Sequence, residues 1–347
     1  MPLKAVAESV DRIFHAAVLN RPRAKTAEAL GPRERIVALR ALVESLDDRF
    51  AGTDPFPSPA AANPQLQTVR RDDMCEVIDV RFESSHALVL DEVRERWMQH
   101  ADNARVPVRW FRGGDDRPAM VLLHGYLGGA FPFEERVWPI RWLLRKGMDA
   151  LLFTLPFHGG RRGDHRGAPP FPAADPRFTI EGFRQAVADL GALAGYLRER
   201  GAPAVGVMGM SLGGYTSALA ATAVRLDFAV PFIPLASIAD FAREGGRLIG
   251  TVSQRHEQHT LLERTYSWVS PLHREPIVPA AGRLVVAGGR DRITPVRHAE
   301  RIAERFDAPL VVFSGGHLFQ VGRSKGFRAV GRMLGELGYL TPKKDGS

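Results

Sequence analysis

The sequence predicts an α/β protein in which a mostly parallel sheet carries helices on both faces. Short continuous apolar runs, such as residues 119–123 and 204–208, recur in the second two thirds of the chain, and buried parallel strands have this composition. Segments with helical apolar spacing, such as 180–200, separate these runs, and that alternation builds parallel sheets. The 347 residues are 45 % hydrophobic and 25 % charged, which is ordinary globular composition.

The amino-terminal part of the chain predicts a helical extension outside this sheet. Residues 3–19 place apolar side chains on one helical face, and 32–50 form a second predicted helix. The proline-rich stretch 53–64 continues neither helix. We therefore expect an extension with its linker over 1–64 and a catalytic domain over 65–347. The apolar face of the first helix favours packing on the main body, with a membrane-surface helix or a dimer contact as the alternatives.

The other elements follow from apolar period and composition. Alternation in 75–90 and 105–112 predicts antiparallel edge strands. Between 237 and 279 the alternation of strands and helices stops, and this long segment predicts a helical lid insertion. The remaining elements are, in order, strand 119–123, helix 134–146, strand 150–155, loop 156–177, helix 180–200, strand 204–208, helix 212–224, strands 228–235 and 283–287, helix 296–306, strand 309–313 and helix 322–337.

The pattern Gly-x-Ser-x-Gly around Ser211 follows an apolar strand and precedes an alanine-rich helix. A serine on such a strand-to-helix turn points its hydroxyl away from the sheet, as in a nucleophile elbow. The turn is tight, so a Cβ at Gly209 or Gly213 would collide with neighbouring backbone. A glycine-rich turn that contains a serine by chance is the alternative.

A serine hydroxyl needs a base, and the base needs an acid that orients it. Asp291 follows the strand 283–287 and His317 follows the next one, so both lie in loops at strand carboxyl ends. These loops open on the same sheet edge as Ser211. The alternatives are that Asp291 caps a helix, that His317 is an ordinary loop histidine, and that Asp240 is the acid.

An oxyanion hole requires two backbone N–H donors near the nucleophile. Leu212, which follows the serine, supplies the first. The glycine-rich stretch after strand 119–123 supplies the second, and we assign it to Tyr126, with Leu127 as its neighbour. We expect His124, at the start of this stretch, to shape the loop rather than to act as a base.

The loop 156–167 is rich in histidine and arginine. Because it follows a strand on the same edge, His158 and Arg161 are candidates for substrate binding, and a solvated basic loop is the alternative. Neither this loop nor the stretch His256-Glu-Gln-His259 has the spacing of a known metal site. We therefore predict no metal and no dissociable cofactor.

Charge and cysteine content limit the classes of partner and the cellular compartment that the sequence favours. The net charge of +8 comes largely from arginine, but no nucleic-acid motif accompanies it, which argues against nucleic acid as a partner. The amino terminus carries Glu8 and Asp11 where a secretory signal needs an apolar core. A single cysteine, Cys75, fits a reducing compartment. We expect a cytoplasmic protein, with peripheral membrane contact as an open option.

These motifs together resemble the α/β-hydrolase superfamily. The residues that carry the resemblance are His124-Gly125, the elbow 209–213, the run Gly289-Arg-Asp-Arg-Ile-Thr-Pro295 and Gly316-His317. The stretch Leu155-Pro-Phe-His-Gly-Gly-Arg161 is similar to a loop of the group related to α/β-hydrolase domain-containing protein eighteen. The resemblance implies an α/β-hydrolase fold and an esterase or lipid acyl hydrolase with an amino-terminal extension.

The sequence thus predicts a serine hydrolase that cleaves a small-molecule or lipid ester. Ser211 is the expected nucleophile, His317 the base and Asp291 the orienting acid. Acyl transfer or amide hydrolysis by the same three residues is the alternative within enzymes. A non-catalytic binding protein on the same fold is the alternative outside them.

Overall fold

The structure is a computed structural model and describes residues 30–58 and 61–340. The predicted helix over 3–19 lies outside the described residues. Within them, nine strands form one sheet with the order β1-β2-β3-β5-β4-β6-β7-β8-β9. These strands are β1 (Gln65–Arg71), β2 (Glu76–Glu83), β3 (Arg105–Arg112), β4 (Ala119–Leu123), β5 (Asp149–Phe153), β6 (Val205–Met210), β7 (Phe228–Phe232), β8 (Val285–Gly288) and β9 (Leu310–Phe313).

Helices connect the strands and flank the sheet. No helix within the described ranges is long and apolar enough to cross a bilayer. The α-helices are α1 (Pro32–Phe50), α2 (Arg94–Met98), α3 (Phe131–Val137), α4 (Ile140–Arg145), α5 (Pro176–Glu199), α6 (Leu212–Ala220), α7 (Ile238–Glu244), α8 (Val252–Tyr266), α9 (Val296–Phe306) and α10 (Ser324–Glu336). Short 3₁₀ turns occupy Asp91–Val93, Ala101–Ala104, Gly159–Arg162, Ser267–Val269, Pro271–His273 and Ala280–Gly282.

The predicted mostly parallel sheet is confirmed. Strands β4 to β9 pair in parallel, whereas β1, β2 and β3 join the sheet through antiparallel pairs, the last of them with β5. Every residue of β4, β5, β6 and β7 is buried, because helices cover both faces of the sheet. Two large apolar clusters, one on each face, form the core.

The parallel register brings the carboxyl ends of the central strands to one edge. Leu123 at the end of β4 is paired with Gly209 near the end of β6. Gly288 at the end of β8 is paired with Phe313 at the end of β9. The loops that follow these strands therefore emerge side by side, which is where parallel sheets build their sites.

Helix α1 contacts the segment between β7 and β8. The predicted helix 32–50 forms as α1, and the predicted helical segment 237–279 contains α7 and α8. Ile36, Leu39 and Val43 of α1 pack against Leu261 of α8 in a small apolar cluster. Ion pairs flank the cluster, Arg40 with Glu257 and Asp47 with Arg264.

Two of the departures from the predicted elements have a clear local cause. The helix predicted over 134–146 is two short helices, because Pro139 lacks the N–H that would continue α3. Residues 65–71 form the edge strand β1, which the sequence did not indicate. All seven of its residues are exposed, so no apolar alternation marked it.

Candidate active site

Ser211 lies between β6 and α6 with a strained backbone. Its φ of 57° and ψ of −111° are unfavourable for a residue with a side chain. A Cβ on Gly209 would lie 2.0 Å from the Gly213 carbonyl oxygen, and one on Gly213 would lie 2.2 Å from the Leu123 oxygen. The steric requirement predicted for these two glycines is therefore present. The backbone of the turn is fixed by the Ser211 N–H, which donates to the Phe232 oxygen of β7 at 3.1 Å.

Asp291 and His317 lie in direct contact. Asp291 Oδ2 is 2.7 Å from His317 Nδ1, and both side chains are buried. Asp291 Oδ1 accepts from the N–H groups of Ile293 and Thr294 at 2.8 and 2.7 Å. These bonds fix the carboxylate so that its second oxygen faces the imidazole. In a pair of this kind the proton is transferred through the other ring nitrogen, Nε2 of the histidine.

The His317 loop lies against the elbow. The Gln320 amide Nε2 donates to the His317 carbonyl oxygen at 3.0 Å and lies 3.9 Å from the Met210 sulfur. Met210 directly precedes Ser211. The three loops that carry Ser211, Asp291 and His317 therefore meet at the carboxyl edge of the sheet.

The rival acid Asp240 has other partners. It lies on α7, where its carboxylate contacts His259 at 2.9 Å and forms ion pairs with Arg243 and Arg301. Asp240, His259 and Glu263 lie close enough together to hold a metal ion. Two guanidinium groups already pair with the Asp240 carboxylate, so the cluster is better described as a half-exposed ion-pair network than as a cation site.

The loop after β4 lies beside the nucleophile. A Cβ built on Gly125 would lie 3.5 Å from Ser211 Cβ. The loop makes a turn in which the Gly128 N–H donates to the Gly125 oxygen, and Leu127 adopts a φ of 71°. Tyr126 lies inside this turn, and Leu212 is the first residue of α6. Both predicted oxyanion donors thus belong to segments adjacent to Ser211.

Buried side chains hold this loop in place. His124 Nδ1 donates to the Gly125 oxygen at 2.8 Å, and His124 Nε2 accepts from the Leu155 N–H at 3.0 Å. Burial lowers the pKa of His124 to about 4, so the imidazole is neutral at physiological pH. Glu134 accepts from the Gly129 N–H at 2.9 Å. His124 has the bonds of a loop-shaping residue.

His158 and Arg161 are fully buried. The Arg161 guanidinium forms an ion pair with Asp189 at 2.8 Å and donates to the backbone oxygens of Asn103 and Thr154. A side chain with these internal partners and no exposed surface has the features of a structural residue. Its burial depends on Asn103 and Asp189, which are far away in sequence. The contacts favour a structural role for Arg161, and substrate binding by this side chain stays a prediction.

His158 lies closer to the site. Its Nδ1 is 2.8 Å from the Pro156 oxygen, and its ring centroid is 5.8 Å from that of Tyr126. Burial and the neighbouring His124 hold the pKa of His158 well below its usual range. A neutral His158 that donates through Nδ1 presents Nε2 as an acceptor.

One contributor to the site was missed at the sequence level. The Thr294 hydroxyl lies 2.9 Å from Asp291 Oδ2 and 3.1 Å from His317 Nδ1. The spacing Asp-x-x-Thr was the available signal, since an aspartate commonly accepts bonds from the backbone two and three residues later.

Comparison with known proteins agrees with this architecture. The family described as alpha/beta hydrolase domain containing 18 matches residues 56–243, which is more than half of the chain. Two uncharacterized proteins of Mycobacterium tuberculosis, from strains CDC 1551 / Oshkosh and H37Rv, are each 32 % identical over 232 residues. The alignment spans 64 % of this chain but only 55 % of each relative.

Solved structures share the fold at low sequence identity. The acetyl xylan esterase from Paenibacillus sp. R4 aligns over 92 % of this chain and 98 % of its own, with 17 % identity and a TM-score of 0.56. The Pyrococcus furiosus esterase Pf2001 aligns over 79 % and 98 %, with 18 % identity and a TM-score of 0.51. The chain has the α/β-hydrolase fold and belongs to the alpha/beta hydrolase domain containing 18 family.

Proposed function

We propose that the protein is a serine hydrolase that cleaves a carboxylic ester through an acyl-enzyme intermediate. The observation that carries this proposal is the 2.7 Å contact between His317 Nδ1 and Asp291, at the sheet edge where Ser211 occupies a strained turn. Strain and a buried acid–base pair are features of catalytic sites rather than of structural loops. The domain over 65–347, with 237–279 as its lid, would form the catalytic unit.

In the proposed reaction, Ser211 attacks the ester carbonyl while His317 Nε2 takes the hydroxyl proton. The backbone N–H groups of Leu212 and Tyr126 stabilise the oxyanion, and His317 then returns the proton to the leaving alcohol. Asp291 stabilises the imidazolium in both steps. Water, activated by the same histidine, finally releases the acid and regenerates the serine.

Exposed apolar side chains around the loops support an apolar substrate group. Leu127 and Phe133 follow β4, and Leu318 and Phe319 follow His317, and all four are more than 40 % exposed. An exposed apolar rim of this kind favours an ester with a large apolar acyl group, and it would also permit peripheral contact with a membrane. Two of the structural neighbours are named acetyl xylan esterases, which agrees with an ester as the substrate.

Hydrolysis of p-nitrophenyl esters from acetate to palmitate tests the function and the size of the acyl pocket together. We expect Ser211→Ala to lose on the order of 10³-fold in kcat. Ser253→Ala, at an exposed serine on α8, is the matched control and should retain wild-type turnover. Product analysis in the presence of an added alcohol distinguishes hydrolysis from acyl transfer. Absence of turnover on all esters and amides would favour a binding protein.

Two further proposals concern location. The single cysteine is buried in the core, which suits a reducing compartment, and we propose a cytoplasmic enzyme. Co-sedimentation with phospholipid vesicles tests the membrane contact. Phe133→Ser and Phe319→Ser should weaken vesicle binding if the rim makes the contact, whereas equal sedimentation of variant and wild type would exclude it.

A further inference from the structure

Thr294 contacts two of the three proposed catalytic residues, Asp291 and His317. Its hydroxyl is buried and has three neighbours within hydrogen-bond distance. These are Asp291 Oδ2 at 2.9 Å, His317 Nδ1 at 3.1 Å and the Ile233 carbonyl oxygen at 3.0 Å. The Thr294 hydroxyl therefore lies between the acid–base pair Asp291–His317 and the end of strand β7.

The chemistry of a hydroxyl fits this junction. A threonine has one proton to donate and two lone pairs that accept. The proton can reach either Asp291 Oδ2 or the Ile233 oxygen, while a lone pair faces the N–H of His317. Valine has the same shape as threonine but can make none of these contacts, which makes the hydroxyl testable separately from the packing.

Strand β7 links this junction to the nucleophile. Two successive carbonyls at its end have partners on opposite sides: the Phe232 oxygen accepts from the Ser211 N–H at 3.1 Å, and the Ile233 oxygen faces the Thr294 hydroxyl. In sheet order, β7 lies between β6, which carries Ser211, and β8, which precedes Asp291. The end of β7 therefore contacts both the Ser211 turn and, through Thr294, the Asp291–His317 pair.

Ile233 is itself strained. Its φ is 42°, and a β-branched residue at positive φ is an outlier. Its N–H donates to the Val286 oxygen of β8 at 2.6 Å and its carbonyl oxygen faces the Thr294 hydroxyl, so both backbone polar groups of Ile233 have partners. Strain of this kind persists where surrounding bonds over-determine the backbone, and such positions cluster at active sites.

We propose that Thr294 is a positioning residue that sets the geometry of the Asp291–His317 pair relative to Ser211 through the Ile233 carbonyl. The inference rests on the proposed hydrolase function. The alternative is that Thr294 only caps the helix that follows it. Pro295 rather than Thr294 occupies the N-cap position of α9, so the contacts are less consistent with that role. The three contacts of the hydroxyl all lead to the site or to the end of β7.

Two matched pairs of variants isolate the hydroxyl. Thr294→Val is compared with wild type, and Thr294→Ala with Thr294→Ser, because the two members of each pair differ at the hydroxyl while the size of the side chain changes little. We expect loss of the hydroxyl to lower kcat by roughly 10- to 100-fold in both pairs, with KM within about threefold, as for the loss of a hydrogen bond to a charged group. If the valine variant fails to fold, the alanine and serine pair still decides.

A measurement without turnover separates this inference from the proposed function. The low-field proton NMR signal of His317 Nδ1–H, assigned by its absence in His317→Gln, should move in Thr294→Val and stay near the wild-type position in Thr294→Ser. An unmoved signal in the valine variant, or equal kcat in either matched pair, would overturn the positioning role. If wild type shows no turnover but the signal moves as expected, the proposed function fails while the positioning role stands.

Discussion

Gly213 approaches Gly209 so closely across the elbow that position 209 has no room for a side chain. A Cβ on Gly209 would lie 2.0 Å from the Gly213 oxygen, where the contact is with backbone and cannot be relieved by a side-chain rotation. The turn that presents Ser211 therefore requires glycine for steric reasons at its strand side.

Gly209→Ala should abolish ester hydrolysis and destabilise the protein by several kcal/mol, on the order of the largest single-residue effects. Gly195→Ala is the matched control, because that glycine lies in the interior of α5, where an added Cβ would meet none of the described atoms within 4 Å. We expect the control to be stabilised by about 0.5–1 kcal/mol. Urea unfolding of both variants measures the difference, and equal stability would refute the steric account.

Replacing one member of the Arg161–Asp189 ion pair should destabilise the protein more than the effect of replacing both members together would suggest. Both side chains are essentially inaccessible to water, so removing one leaves the other buried and unpaired. Asp189→Asn should cost about 3–5 kcal/mol of the free energy of unfolding. Arg161→Met combined with Asp189→Leu should cost less than the sum of the two single changes. A fully additive double variant in urea unfolding would show that the pair is not coupled.

Because His124 is buried and neutral, the free energy of unfolding should fall in mild acid. Its folded pKa of about 4 lies below the value of 6.5 that it has in the unfolded chain, so between these pH values the unfolded state binds the extra proton. The contribution is fully present above pH 6.5 and is lost progressively as the pH falls to 4, by ~3 kcal/mol in total.

Urea unfolding from pH 7 to 4.5 measures this contribution. His124→Gln should reduce the slope of unfolding free energy against pH by up to ~1.4 kcal/mol per pH unit, the value for one proton. The exposed His256 is the matched control, and His256→Gln should leave the slope unchanged. An identical slope in the two variants would contradict a neutral buried His124.

Helix α1 should be held on α8 mainly by its apolar face. Leu39 is buried against Leu261, whereas the Asp47–Arg264 pair is about half exposed and screened by solvent. Leu39→Ala should cost about 2–4 kcal/mol and Asp47→Ala less than about 1 kcal/mol. Thermal unfolding of the two variants compares them, and a larger loss for Asp47→Ala would reverse this assignment.

Local patterns in the sequence were sufficient to place strands β2 to β9 along the chain, and to predict the parallel sheet and the loops that meet at its carboxyl edge. The elbow around Ser211 was predictable because a glycine spacing reports directly on a steric requirement. Strand β1 was not predictable, because its residues are all exposed and no apolar alternation marks it. The break at Pro139 had a local signal that the helical apolar spacing around it obscured.

The roles of Arg161 and Thr294 depend on contacts that sequence does not reveal. An arginine in a loop with several other basic residues indicates a solvated or ligand-binding segment until Asp189 and Asn103 are seen to enclose it. Thr294 acquires its role from Ile233, whose positive φ no local pattern predicts for a β-branched residue. Long-range burial and backbone strain thus account for what the sequence could not predict.

Labelling with a fluorophosphonate probe tests the central claim most directly, because it reports on the nucleophile without knowledge of the substrate. The probe should form one covalent adduct on the folded protein, which peptide mass spectrometry locates at Ser211. The adduct should be absent in Ser211→Ala and much slower to form in His317→Gln. Labelling at another serine, or an adduct that persists at the wild-type rate in Ser211→Ala, would contradict the account.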